Sequence, residues 1–247
     1  MERQTQAYGH FCMLARTLER VGDRWTMLVV RDLAHGPRRF TDLMELLGGI
    51  TPKTLTQRLR QLEEDGIVAA DREPGRREVW YRLTPTGEDL LPALDQLLLW
   101  GLAHALRPPE PGEPAHPEHL LLALQVQLDD AGVTGAPVRW LVRVAGTGSY
   151  VLSYDGRTWT VSRGEIDDPG VTITTTRDGW ARFLTTPPSL RSVDQPDLTV
   201  TGTRKAIRTF LKAITVFPFG PDGAARAPHA PRRAAREVRP VTSRPAI

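Results

Sequence analysis

Thr51-Pro52-Lys53-Thr54-Leu55-Thr56-Gln57-Arg58-Leu59-Arg60-Gln61-Leu62-Glu63-Glu64-Asp65-Gly66 decides how the N-terminal half is read. Thr51 suits an N-cap, and Pro52 suits the first helical position, where a missing N–H costs nothing. Gly66 falls where a helix stops in the left-handed conformation. Leu55, Leu59 and Leu62 recur at i, i+4 and i+7, which predicts one buried stripe. Lys53, Gln57 and Arg60 then point away from that stripe, flanked by Thr54, Thr56 and Arg58. The acids Glu63, Glu64 and Asp65 are held back to the last turn. Long amide and cationic side chains reach base edges in a major groove, and short hydroxyls reach phosphates. The solvated face of an ordinary amphipathic helix has similar chemistry, so the flanking sequence must decide.

Upstream, residues 8–22 carry Leu14, Leu18 and Val21 at helical spacing. Asp23 is the expected cap of a second helix from Arg24 to His35, which Gly36-Pro37 breaks. Arg38-Arg39-Phe40 reads as a short extended piece, Thr41 as the cap of a brief helix through Leu47, and Gly48-Gly49-Ile50 as a tight turn. Short helix, glycine turn and polar-faced helix form a helix-turn-helix. Ile67 to Asp71 and Val79 to Leu83 are β-like runs joined across Glu73-Pro74-Gly75-Arg76-Arg77. A hairpin in that place is a wing, with Arg76 and Arg77 at its tip within reach of a phosphate or the minor groove. Thr84-Pro85 starts a predicted long helix to Leu106, whose leucines and Trp100 cover more than one face. Self-association uses such a surplus; packing on the chain's own C-terminal half is the alternative.

Bulk composition narrows the partners. The 247 residues carry a net charge of only +3, with 40% hydrophobic and 25% charged residues. Six arginines fall after position 218 (Arg226, Arg232, Arg233, Arg236, Arg239 and Arg244) against Asp222 and Glu237. The remainder is close to neutral, so nucleic-acid binding must come from local geometry rather than bulk charge. The single cysteine excludes an internal disulfide, and no apolar run has signal-peptide or membrane-spanning character. A cytoplasmic protein with no membrane partner is expected. No phosphate loop or nucleophile elbow occurs, and His116 with His119 lack further metal ligands. The expectation is therefore no enzyme, no cofactor and no metal.

After the stiff, proline-rich stretch 107–115 the pattern changes. Glu118 to Leu128 reads as a helix. Val138 to Val144 alternates as a strand, and Asp155-Gly156 turns a hairpin between Tyr150–Tyr154 and Thr158–Ser162. Val171 to Thr175 is β-rich, Trp180, Phe183 and Leu184 mark a short helix, Leu198 to Val200 a last strand, and Ala206 to Ile214 a final helix. This is a sheet with helices on one face, so the fold class is α+β. The tail 218–247 is rich in Pro, Ala and Arg without periodicity and reads as disordered.

Two resemblances follow. Cys12 to Gly101 resembles the HxlR-type winged helix-turn-helix transcriptional regulators, relatives of the MarR group. The resemblance rests on Val21-Gly22-Asp23-Arg24-Trp25-Thr26, Arg31-Asp32-Leu33, Gly36-Pro37-Arg38-Arg39-Phe40, Asp42-Leu43, Ile50 to Leu55, Leu59 to Val68 and Tyr81 to Pro85. It implies a homodimer built on the first and last helices of the region 1–106, set on double-stranded DNA at an inverted repeat. The DNA-contact candidates are Arg38, Arg39, Thr51, Lys53, Thr54, Gln57, Arg58, Arg60, Arg76 and Arg77. Cys12 matches the position of a redox- or electrophile-sensing thiol in some members; this needs exposure and a lowered pKa, and a buried inert thiol is the alternative.

The stretch 116–217 resembles the sterol-carrier-protein-type lipid-binding domain, on Asp155 to Thr160, Asp168 to Ile173 and Leu198 to Thr203. That implies a tunnel for a hydrophobic small-molecule effector, with Trp140, Val142, Trp159, Trp180, Phe183, Phe210 and Ile214 as lining candidates. The same side chains also suit a plain core. The function expected is an effector-modulated regulator. The alternatives are a carrier of lipids or hydrophobic metabolites, and a thiol switch at Cys12.

Overall fold

The computed structural model describes residues 8–72, 78–105, 113–186 and 188–217. The N-terminal half begins with α1 (Met13–Val21) and α2 (Thr26–Leu33), followed by β1 (Arg38–Arg39), α3 (Phe40–Leu47) and α4 (Pro52–Glu64). Next come β2 (Val68–Arg72), β3 (Val79–Leu83), α5 (Pro85–Glu88) and α6 (Leu91–His104). The strands form one antiparallel sheet in the order β1-β3-β2. Val29, Val30, Leu33, Leu43, Leu55, Leu59 and Leu62 make the core of this half, each 2% exposed or less.

Local chemistry moves several boundaries from their expected places. Arg39, not Thr41, is the N-cap of α3, because Asp42 reaches back to accept the Arg39 N–H at 3.0 Å. Asp23 accepts the Trp25 N–H at 2.8 Å, but within a turn ahead of α2. Strand β2 starts one residue late because Ile67 still belongs to the end of α4: its N–H donates to the Leu62 carbonyl at 2.9 Å. The expected helix from Thr86 to Leu106 is two helices. Pro92 lies in the first turn of α6, where a proline is tolerated; deeper inside one continuous helix it would cost a hydrogen bond and a clash. Gly87 in α5 is a required close approach, since a Cβ there would stand 2.2 Å from the Ile67 carbonyl oxygen.

The C-terminal half runs α7 (Pro117–Asp130), β4 (Val138–Val144), β5 (Gly148–Tyr154), β6 (Trp159–Arg163), β7 (Val171–Thr175) and α8 (Arg177–Thr185). It ends with β8 (Asp194–Gln195), β9 (Leu198–Gly202) and α9 (Arg204–Ala213). The sheet order is β6-β5-β4-β7-β9-β8; β4 and β7 pair in parallel and the other neighbours antiparallel. Alternation sends Trp140, Val142, Val144, Leu152, Tyr154, Val171 and Ile173 into one core with residues of α7, α8 and α9. Strand β8 was not expected, being only two residues long. Arg191 ties this half together: its guanidinium donates to the carbonyls of Leu184, Thr186 and Ile214 at 2.6–2.9 Å, and burial lowers its pKa to about 10.

The halves meet through polar side chains as well as apolar ones. Leu98 and Leu102 of α6 pack against the C-terminal core, so part of the surplus apolar face is spent within the chain. Arg38, 5% exposed, donates to the Asp32 carbonyl at 3.2 Å and pairs with Glu118 at the start of α7. The Tyr150 hydroxyl donates to the other Glu118 oxygen at 2.9 Å. His119 Nε2 lies 2.8 Å from Asp32 Oδ1, which also accepts from Arg31. Burial opposes the Asp32 charge, but the hydrogen bonds from His119 and Arg31 outweigh it and hold the carboxyl below its ordinary value. Burial pushes the His35 imidazole down, only partly offset by the Glu118 charge.

Removing one partner of a buried ion pair strands the other, at about 3–5 kcal/mol. Glu118→Ala is therefore expected to lower stability by about that much, read as a reduced urea midpoint; an unchanged midpoint would contradict the seam as described. Below the ordinary imidazole value of 6.5, the unfolded chain takes up a proton at His35 that the folded chain still refuses. Stability should thus fall as pH drops through 6.5, and level off once the pH is below the lower folded value. His35→Gln should flatten that part of the stability–pH curve.

Candidate nucleic-acid interface

Thr51 caps α4 by accepting the Thr54 N–H at 3.2 Å, and Pro52 occupies the first turn. At the far end Gly66 takes φ +69, its N–H donating to Glu63 and that of Ile67 to Leu62, which satisfies the last carbonyls. The helix is thereby closed at both ends within 13 residues. Leu55, Leu59 and Leu62 are buried, while Lys53, Thr54, Thr56, Gln57 and Arg60 are exposed on the outer side. Lys53 and Gln57 make no side-chain hydrogen bond or ion pair to any described residue. The Thr56 hydroxyl is already spent on the Pro52 carbonyl at 2.8 Å. Arg60 pairs with Glu64 at 2.9 Å, but with 82% of its side chain exposed that pair is weak and easily exchanged.

The remaining candidates divide. Arg58 is turned inward to Asp23 at 2.7 Å and is only partly exposed. Arg38 is a correction: its buried guanidinium is committed to Glu118 and the Asp32 carbonyl, so it does not face solvent where a duplex would lie. Arg39 stays half-exposed, pairing with Glu78 at 3.0 Å and stacking 4.6 Å from the Trp80 ring. Trp80 was missed in the sequence, although its place on the polar side of a strand between Val79 and Tyr81 was a signal. Arg76 and Arg77 lie outside the described residues, as do the tail 218–247 and most of 107–115.

The lining expected of a lipid tunnel is packed solid. Trp140, Val142, Trp159, Trp180, Phe183, Phe210 and Ile214 are 0–3% exposed. The Trp140 ring lies 4.9 Å from Trp159 and 5.1 Å from Phe210, and Phe183 stacks with Phe210 at 6.2 Å. These rings occupy the space between sheet and helices themselves. Cys12 is exposed at the cap position of α1, against the buried alternative. Nearby, Phe11, Met13, Leu14 and Leu18 are exposed apolar residues, as are Leu97 and Trp100 of α6. His116 and His119 contact each other edge to face at 5.1 Å, with His119 engaged by Asp32. No helix among the described residues is long and apolar enough to cross a membrane.

The similarities to known proteins that follow fall in this half. Residues 20–108 match the HxlR-like helix-turn-helix family. An uncharacterized HTH-type transcriptional regulator of Mycobacterium tuberculosis is 44% identical over 101 residues, 40% of this chain and 62% of the relative. The chain thus spans less than two thirds of that protein. The uncharacterized HTH-type transcriptional regulator YtcD of Bacillus subtilis is 38% identical over 94 residues, 37% of this chain and 73% of YtcD. A crystal structure of ytcD is 36% identical, covering 39% of this chain and 99% of its own, with a TM-score of 0.37.

Since the Thr51 hydroxyl serves a backbone N–H that otherwise lacks a partner, Thr51→Ala is expected to cost about 1 kcal/mol. Differential scanning calorimetry should show a lowered Tm for it and a smaller change for Thr51→Ser.

Proposed function

Because the chain belongs to the HxlR-like helix-turn-helix family, we propose that it is a DNA-binding transcriptional regulator that works as a homodimer on an inverted-repeat operator. One observation carries this reading. Helix α4 is anchored by three buried leucines and presents Lys53 and Gln57 to solvent with no partner among the described residues, its acids withheld to the last turn. Side chains held out unspent on a rigid helix lose little on meeting base edges. Arg39, stacked on Trp80 at the sheet, supplies a phosphate contact beside it.

Dimerisation uses the apolar residues that the chain leaves open. Phe11, Leu14 and Leu18 on one side and Leu97 and Trp100 on the other are costly to leave in water. A two-fold axis through such a patch repeats α4 and so matches a two-fold operator. In this reading residues 1–106 bind DNA and dimerise, 107–115 link, and 116–217 form a sterol-carrier-like effector domain in a cytoplasmic protein. The one-sided layer of α7, α8 and α9 on a mixed sheet supports that last assignment. A hydrophobic effector would have to part the packed rings, exchanging ring contacts for its own, and would alter operator affinity only by preferring one arrangement of the halves.

A gel shift on the protein's own promoter region tests the proposal. Lys53→Ala or Gln57→Ala should each cost about 1–3 kcal/mol, concentrated at particular base pairs, whereas Arg39→Ala should weaken all sequences alike and reduce the salt dependence. Failure of the purified dimer to retard any inverted repeat at low salt would sink the reading.

A further inference from the structure

A cleft of about 150 Å³ opens between the two halves, walled by Asp42 and Glu45 of α3 on one side. The start of α7, the Gly146-Thr147 turn, Arg163 at the end of β6 and Arg177 at the start of α8 form the other. Pockets for drug-sized ligands run to about 300–1,000 Å³, so this cleft suits a small polar group better than an acyl chain or sterol.

The charges on its walls are not equally available. Arg38 and Glu118 neutralise each other in the buried seam. The Asp42 carboxylate accepts the Arg39 N–H at the head of α3. Burial, with the electrostatic influence of the neighbouring His119 and Arg177, holds His116 below its ordinary value. This leaves Arg163 and Arg177, with side chains 51% and 40% exposed. One residue steadies both: Arg163 Nη2 donates to the Thr147 carbonyl at 3.0 Å, and Arg177 Nε to the Thr147 hydroxyl at 2.8 Å. Each guanidinium has five N–H donors, most of them uncommitted among the described residues. Each also faces one acid within ion-pair range: Glu118 lies 3.7 Å from Arg163, and Glu45, itself 68% exposed, lies 3.5 Å from Arg177, so both pairs are loose enough to be exchanged for a ligand.

We propose that this cleft is a binding site for a small oxyanion, the phosphate or carboxylate group of a polar metabolite, held by Arg163 and Arg177. Two guanidiniums fixed to one turn give the paired, planar donors that an oxyanion accepts. Glu45 is the built-in competitor. It belongs to the N-terminal half, so an anion that takes Arg177 from it removes one contact between the halves and leaves the buried Arg38–Glu118 pair in place. A polar anion would thus enter at the seam, apart from the aromatic core that a hydrophobic effector would have to open. Only the consequence for operator affinity rests on the regulator reading; the binding itself does not.

Calorimetric titration of the full chain with inorganic phosphate, and separately with succinate, is the test. Saturable binding of one ligand per chain is expected. Arg163→Gln with Arg177→Gln should weaken it at least 10-fold, while Glu45→Gln should tighten it severalfold. The substituted side chains are half-exposed, and an unchanged thermal melt would certify that the variants fold. Absence of binding to the parent, or binding indifferent to these substitutions, overturns the site. Preference for phosphate or for succinate identifies the anion. A gel shift with and without the tighter ligand then addresses the regulator reading separately, since binding without any DNA complex would defeat that reading and leave the site standing.

Discussion

A guanidinium and a carboxylate taken out of water together, Arg38 of β1 and Glu118 of α7, join two halves that each have a hydrophobic core of their own. Neither charge is tolerable alone at that depth, so the pair requires the halves to stay docked in one register. Tyr150 donates to the second Glu118 oxygen, and burial with the Glu118 charge pushes its hydroxyl pKa up, keeping it a donor. His119 and Arg31 both engage Oδ1 of the buried Asp32 on α2. The polar seam therefore specifies geometry more than it adds stability, because a hydrophobic contact of similar area would hold without fixing orientation.

That fixed orientation matters for α4. The helix is closed at both ends by its own sequence and held from below by three leucines, which lets Lys53 and Gln57 on its outer side remain without a partner among the described residues at no loss of order. Strand β1, which carries Arg38 into the seam, pairs with β3 of the hairpin and leads directly into α3. The two residues of β1 thus tie the buried seam directly to the hairpin and to the head of α3.

The C-terminal half solves a different problem. Its aromatic side chains meet at centroid separations of about 5–6 Å and fill the layer between sheet and helices. Apolar lining and apolar core have the same composition and the same periodicity. Only the positions of the rings separate them, and here they touch. Space is left instead where charged residues from both halves face one another, since guanidiniums and carboxylates cannot close up as rings do without giving up solvation.

The sequence by itself determined the elements whose signals are local. Thr51, Pro52 and Gly66 delimited α4 to the residue, Asp155-Gly156 placed the hairpin, and alternation along Val138 to Val144 identified a strand and its buried side. Capping, turn conformation and periodicity act within a few residues, so they can be read without a partner. The tertiary structure alone decided which arginines remain available and where a cavity lies. Arg38 and Arg39 are adjacent and identical in kind, yet one is buried against Glu118, 80 residues away, and the other is stacked in the open on Trp80. Desolvation and ion pairing are set by whatever the chain brings alongside from a distance, and no local pattern carries that information.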